Sequence, residues 1–307
     1  MFNDAPQTSS AHLRAARADD WPDVEPIVAT TWEGDDYINR ALWDRWAADR
    51  DGLLVVAEAD GRVAGFAKIT RFGPAEWWLE GLRVAGSMRG RGIARALTAY
   101  LVDWFEKYGD GMLRLATFSE NEASKKLALA SGMRHTASYR PISASARPRD
   151  YRKFKVLQAH NIDMVHQYLQ RSPMYRANRF VENDWKLLYL THDRLAEYLQ
   201  AADVDVLAWR EEGALHGLAV LFSGPPDERR SYDQGALKVG ALYAPDDTTL
   251  RAMLRALRGV AALRQRERVV WKMPVGVGLE RAIQDTEYQS DWEEGEALLL
   301  FERPLRL

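Results

Sequence analysis

Six consecutive residues, Arg89-Gly90-Arg91-Gly92-Ile93-Ala94, carry the densest chemical signal in this sequence. They follow a stretch with strand character, Trp77 to Val84, and open an amphipathic segment that reads as a helix over Ile93 to Tyr108. A glycine-rich turn from strand into helix leaves backbone N–H groups pointing one way, and the helix N-terminus adds a positive dipole end. Such a turn suits a pyrophosphate. Gly90 and Gly92 let backbone approach phosphate with no Cβ in the way, and Arg89, Arg91 and Arg95 add charge. The spacing departs from the dinucleotide fingerprint, and the Gly-Lys-Ser/Thr ending of the nucleotide-triphosphate loop is absent. The plain alternative is an ordinary strand–turn–helix with surface arginines.

A second chemical group sits upstream. Glu80 lies in Leu79-Glu80-Gly81-Leu82-Arg83-Val84, and simple alternation along a strand places Glu80, Leu82 and Val84 on one face. Glu80 is a candidate general base. A carboxylate of ordinary pKa, ~4.3, is weak against an amine of ~8 to ~10.4, so it needs burial or a relaying water. Trp77 and Trp78 are placed to bury it; its bland role would be pairing with Arg83 or Arg114. Further upstream, Thr30-Thr31-Trp32-Glu33-Gly34-Asp35-Asp36-Tyr37 is acidic and aromatic, a composition suited to an ammonium group. Its bland reading is a solvated loop in which Asp36 caps the helix that begins near Ile38.

Taken in order, these segments resemble the GNAT-type N-acetyltransferases. The family's pyrophosphate pattern, Gln/Arg-x-x-Gly-x-Gly/Ala, is met by Arg89, Gly92 and Ala94. Leu79 to Val84 is similar to its central strand. Asn121-x-x-Ser124-x-x-Leu127-x4-Gly132-Met133 is similar to its second signature. The resemblance implies acetyl-CoA as cosubstrate and no metal. It places the cosubstrate beside Leu82, Arg83 and Val84, over the loop Arg89, Gly90, Arg91, Gly92, Ile93, Ala94 and Arg95, and near Asn121 and Ser124. It implies direct acetyl transfer, with Glu80 as base, to a small-molecule amine held near Trp32, Asp35, Asp36, Tyr37 and Trp78. One departure stands out. The family commonly places a Tyr, as general acid, where this chain has Ala128; Ser124, His135 and Tyr139 are the candidates to replace it, and a CoA-binding sensor without turnover is the alternative function. Gly34-x-Asp36-Tyr37, Trp43 and Trp46 are also similar to tandem amino-acid acetyltransferases of the histidine N-acetyltransferase kind, which points to a free amino acid.

The elements that must position these groups occur twice. Val55 to Ala67 reads as a hairpin with an Asp-Gly turn, and Leu207 to Ala219 matches it, both glycines included. Around each hairpin the order strand, helix, helix, hairpin, strand, helix, strand, helix repeats. The expected fold is α/β (α+β): two GNAT-like domains in tandem, each a mixed, mostly antiparallel twisted sheet flanked by helices. The expected domains are 1–146, with the acetyl-CoA loop, and 147–307, degenerate and without one. Ser143 to Asp150 reads as the linker. In the second copy the turn is Ala244-Pro245-Asp246-Asp247, with no glycine and two carboxylates that would repel a pyrophosphate. The first copy shows no clear final strand after Arg140, whereas the second ends in one, Glu296 to Phe301, which leaves open an exchange of strands.

Composition sets the outer limits. At 307 residues the chain suits two domains. A net charge of −2 gives no basic field for nucleic acid, and the absence of cysteine removes disulfides, thiolate metal sites and a cysteine nucleophile. The first ten residues are polar and no apolar run approaches the ~20 residues that span a bilayer, so a cytoplasmic protein without membrane partners is expected.

Overall fold

The computed structural model describes residues 11–31, 36–223, 235–284 and 286–305. The first half of the chain forms β1 (His12–Ala15), α1 (Trp21–Ala29), α2 (Arg40–Ala48), β2 (Leu53–Ala59), β3 (Arg62–Gly73), β4 (Glu76–Val84), α3 (Ile93–Tyr108), β5 (Met112–Phe118), α4 (Glu122–Ala130) and β6 (Arg134–Ser145). The second forms β7 (Phe154–Val156), α5 (Ile162–Arg171), α6 (Pro173–Ala177), β8 (Phe180–Asn183), β9 (Lys186–Tyr189), α7 (His192–Tyr198), β10 (Val204–Glu211), β11 (Ala214–Phe222), β12 (Ala236–Tyr243), α8 (Asp247–Leu263), β13 (Arg268–Pro274), α9 (Glu280–Ile283), β14 (Gln289–Ser290) and β15 (Leu298–Pro304).

Two compact units result. One comprises Met1–Thr117, Asn121–Thr136 and Leu300–Leu307; the other comprises Phe118–Glu120 and Ala137–Leu299. Each unit therefore takes a strand from the opposite half of the sequence. In the first, the strand order is β1-β2-β3-β4-β5-β15, and in the second β6-β13-β12-β11-β10-β7. Strand exchange, left open by the sequence, is thus realised. The expected linker is also corrected: β6 continues through Ser145, because Tyr139 to Ser145 pair antiparallel with Pro274 to Arg268. The C-terminal strand is anchored in the first unit by a buried arginine. Arg114 Nε donates to Glu302 at 2.6 Å and its Nη1 to Glu76 at 2.7 Å.

In the first unit, the sheet is covered on both faces. On one side α1 and α2 bring Val24, Ile27, Trp43 and Trp46 against Val56 and Phe66. Trp43 meets Phe66 edge-on, with ring centroids 5.2 Å apart. On the other, α3 buries Ile93, Leu97, Leu101 and Phe105, the one-sided spacing that makes this segment helical. The second unit repeats the plan, with α8 burying Leu250, Met253, Leu254, Leu257 and Ala261. It also has a small separate hairpin, β8–β9, that the sequence pattern does not disclose. No helix among the described residues is long and apolar enough to cross a membrane.

Candidate active site

The site is set by how β4 leaves its neighbour. β4 and β5 run parallel only from Glu76 opposite Met112 to Trp78 opposite Arg114. From Leu79 onward the ladder with β5 ends, and one edge of the β4 backbone faces an opening in the sheet. On its other edge β4 stays paired with β3 to Val84. That pairing is interrupted by a bulge. Glu80 faces Lys68 and Arg83 faces Phe66, so Gly81 and Leu82 together oppose the single residue Ala67. Gly81 makes the bulge possible: its φ is +69°, and a Cβ there would lie 2.7 Å from the Trp46 ring.

The bulge corrects the expected alternation. An inserted residue reverses the side-chain phase, so Glu80 shares a face with Arg83 and not with Leu82 and Val84. That face is the one covered by α1 and α2. Glu80 is half-buried there and accepts a hydrogen bond from the Thr70 hydroxyl at 2.6 Å. Trp77 and Trp78, 3% and 4% exposed, lie at the root of the strand. Arg83 and Arg114, the partners that the plain alternative gave Glu80, are held by other carboxylates: Arg83 by Asp36, Arg114 by Glu76 and Glu302.

Opposite Glu80 stands a group that sequence reasoning missed. Lys68 is fully buried, its ammonium bonded to the Asp49 carboxylate and, at 2.6 Å, to the Ile69 carbonyl. Burial pushes the ammonium below its usual range, against the pull of Asp49 and Glu80. Burial works the other way on Asp49, yet the hydrogen bond from Lys68 holds its carboxyl below the usual carboxylate range. A lysine inside the otherwise apolar run Phe66-Ala67-Lys68-Ile69 was the available signal.

The turn after β4 has the expected geometry. A short 3₁₀ turn, Gly86–Met88, leads into Arg89 to Gly92. Gly90 and Gly92 have φ of +78° and +81°, and a Cβ at either would meet nothing within 4 Å. Gly92 is the N-cap of α3 and supplies no side-chain cap. The first-turn N–H groups of Ile93, Ala94 and Arg95 thus begin α3 beside an exposed loop bearing Arg89 and Arg91, with Arg95 exposed on the helix itself. Asn121 has a structural role: it caps α4, its Oδ1 accepting from the Ser124 amide at 3.1 Å. Ala128 is fully buried. Of the residues considered as replacement acids, His135 packs its ring against Phe301, with centroids 5.6 Å apart, and Tyr139 donates to Asn178 Oδ1 at 2.9 Å within the second unit.

On the expected acceptor side, Trp32 and Asp35 lie outside the described residues. Asp36 has a role other than a solvent-facing charge. Its side chain is 1% exposed, accepts from Arg83 at 2.6 and 2.9 Å, and accepts the Ile38 amide at 3.2 Å. Arg83 also lies over the Tyr37 ring, 5.6 Å from its centroid. Asp36 and Arg83 therefore tie the start of α2 to β4. Among the described residues no group of His, Asp and Glu is gathered to hold a metal ion.

The second unit repeats the parting of strands without the turn. β12 and β13 are parallel from Ala236 opposite Arg268 to Val239 opposite Trp271 and then separate. Asp246 caps α8, its Oδ1 accepting the Thr249 amide at 2.7 Å.

Comparison with known proteins agrees with this geometry. Residues 13–133 match the family model "Acetyltransferase (GNAT) family". No curated protein sequence matches this chain. Among solved structures, the GCN5-related N-acetyltransferase from Sphaerobacter thermophilus is 14% identical with a TM-score of 0.64, over 97% of this chain and 96% of that one. A putative acetyltransferase from Thermoplasma acidophilum is 14% identical with a TM-score of 0.59, over 95% and 99%. A tandem GNAT protein from the clavulanic acid biosynthesis pathway is 13% identical with a TM-score of 0.58, over 97% and 99%. At such identities the likeness is one of fold, and it extends over both halves of this chain. The parted strands and the glycine turn both lie within residues 13–133, the part of the chain that matches the GNAT acetyltransferase model.

Proposed function

We propose that the chain transfers the acetyl group of acetyl-CoA directly to a small amine, a free amino acid being the favoured class, with Glu80 as general base. The observation that carries this reading is the position of Glu80, half-buried on β4 at the point where β4 and β5 have parted. The cosubstrate's pyrophosphate would rest on the turn from Arg89 to Arg95. Its acyl arm would lie along the open edge of β4 beside Leu82, Arg83 and Val84, where a backbone N–H can polarise the thioester oxygen. Asn121 would contribute by fixing the start of α4, and Ser124 by its place in that first turn. Acceptor contacts are assigned to Tyr37 and Trp78, with Asp36 tied to Arg83 beside them; the resemblance adds Trp32 and Asp35, which lie outside the described residues.

The reaction balances without a metal or redox partner. An acceptor ammonium gives one proton to Glu80, directly or through water, and thence to solvent. The nitrogen lone pair attacks the thioester carbonyl carbon; the C–N bond forms, and the C–S bond breaks with its electron pair going to sulfur. The remaining extra N–H proton ends on the thiolate by way of solvent, since Ala128 offers none. The second unit, built mainly from the later half of the chain, would serve as a degenerate partner domain without a CoA loop. A second reading, a CoA-binding module with little turnover, is favoured by one observation, the buried Ala128 in the place of a proton donor.

Glu80→Gln preserves shape and removes the base. The expected result is a fall in kcat of roughly 10²-fold at pH 7, with acetyl-CoA affinity unchanged, shrinking as pH rises and free amine becomes abundant. An unchanged kcat at pH 7 removes Glu80 from the mechanism.

A further inference from the structure

The second unit contains a cavity of about 260 Å³ where β12 and β13 part. By the ~30 Å³ that a water molecule occupies in the liquid, this is room for about nine non-hydrogen atoms. Its walls are aromatic and apolar: Phe180 from β8, Tyr243 from β12 and Trp271 from β13 all line it. Such walls take the body of an organic molecule and present ring faces to a cation.

The charges of the lining are unequal. Glu182 and Lys272 stand in the wall, 3% and 1% exposed, with Nζ 2.8 Å from Oε1. Their charges offset each other. Two more carboxylates, Asp246 and Asp247, belong to the lining: Asp246 is exposed and Asp247 half-buried. Lys238, buried behind the wall, also acts on Glu182, so three carboxylates meet two ammonium groups and an excess of one negative charge remains. Asp246 spends one oxygen on the Thr249 amide, which leaves Asp247 as the carboxylate best placed to meet a ligand. A pyrophosphate is disfavoured at this entrance, because both aspartates repel it and the turn has no glycine.

We infer that this cavity is a separate binding site for a small organic monoamine, its ammonium at Asp247 and its apolar body against Phe180, Tyr243 and Trp271. The inference does not depend on the acetyl-transfer reading, since every lining residue it uses lies in the second unit.

The test is calorimetry on the full chain without acetyl-CoA, using phenethylamine, its uncharged analogue 2-phenylethanol, and phenylacetate. Phenethylamine should bind with one event that Asp247→Asn weakens about tenfold, the order expected for losing one half-buried charge contact. The alcohol should bind at least tenfold more weakly than the amine, and the anion not at all. Glu80→Gln should leave this event intact. Asp247→Asn is a near-isosteric change that leaves the Asp246 cap in place, and its melting temperature, measured alongside, should match that of the wild type. Equal binding of amine and alcohol, no binding of the amine, or binding lost in Glu80→Gln and kept in Asp247→Asn would each overturn the inference.

Discussion

The glycine turn offers a test in which sterics and charge separate. Gly92 has φ +81°, so any side chain there carries the strain of a left-handed residue, about 1–2 kcal/mol. A Cβ meets nothing within 4 Å, so the fold accommodates the added atoms. Gly92→Ala and Gly92→Glu share that strain, and their difference isolates charge. A carboxylate ~5 Å from a pyrophosphate bearing about two charges is repelled by roughly 1.6 kcal/mol at the dielectric of water. Gly92→Glu should therefore bind acetyl-CoA about fifteenfold more weakly than Gly92→Ala. The gap should narrow in 1 M salt, where charges are screened over ~3 Å. Calorimetry with acetyl-CoA reads both constants. The corresponding change in the second unit, Thr248→Glu, should leave affinity at the wild-type value, with one CoA per chain. Equal affinities for Gly92→Glu and Gly92→Ala, or equal losses from the Gly92 and Thr248 variants, would refute the assignment of the pyrophosphate to this turn.

Two further outcomes concern buried charge. Asp36→Asn breaks a pair whose members are 1% and 12% exposed, and should cost about 3 kcal/mol in denaturant unfolding; a change below ~0.5 kcal/mol would mean the pair is not formed in solution. In the second unit, burial alone would raise the Glu182 carboxyl, but Lys238, Lys272 and the Trp185 amide bring it down to about 2. A pKa held below its unfolded value stabilises the fold above the unfolded pKa, and the effect is lost as pH falls through the folded one. The wild type should thus lose about 3 kcal/mol between pH ~4.5 and pH ~2 in a step that Glu182→Gln lacks; identical acid profiles would contradict it.

Much of the positioning scaffold is legible in the residues. α3 over Ile93–Tyr108 and β5 over Met112–Phe118 follow from an apolar stripe ended by Gly109 and resumed after Gly111. The turn that joins β4 to α3 follows from its glycines. What stays hidden is decided by partners distant in sequence. The fate of β6 depends on β13, more than a hundred residues away, and Pro141 and Ser143 make it look like the start of a linker. The bulge at Gly81 inverts the face on which Glu80 lies, because alternation counts residues and a bulge adds one without lengthening the strand. Asp36 reads as a solvent-facing charge until Arg83, 47 residues on, is seen to hold it. Lys68 was visible as an anomaly in an apolar strand, but its proximity to Glu80 required the register of β3 on β4.

The central claim is that this chain acetylates a small amine. Its most direct test is release of free thiol from acetyl-CoA by the wild-type chain, measured against a panel of free amino acids, polyamines and short peptides. The account expects thiol release that depends on the acceptor, is matched one-to-one by acetylated amine in mass spectrometry, and is strongest for small amines, free amino acids among them. Tight acetyl-CoA binding with thiol release no faster than in buffer, for every amine tried, would contradict it and leave a CoA-binding module in its place.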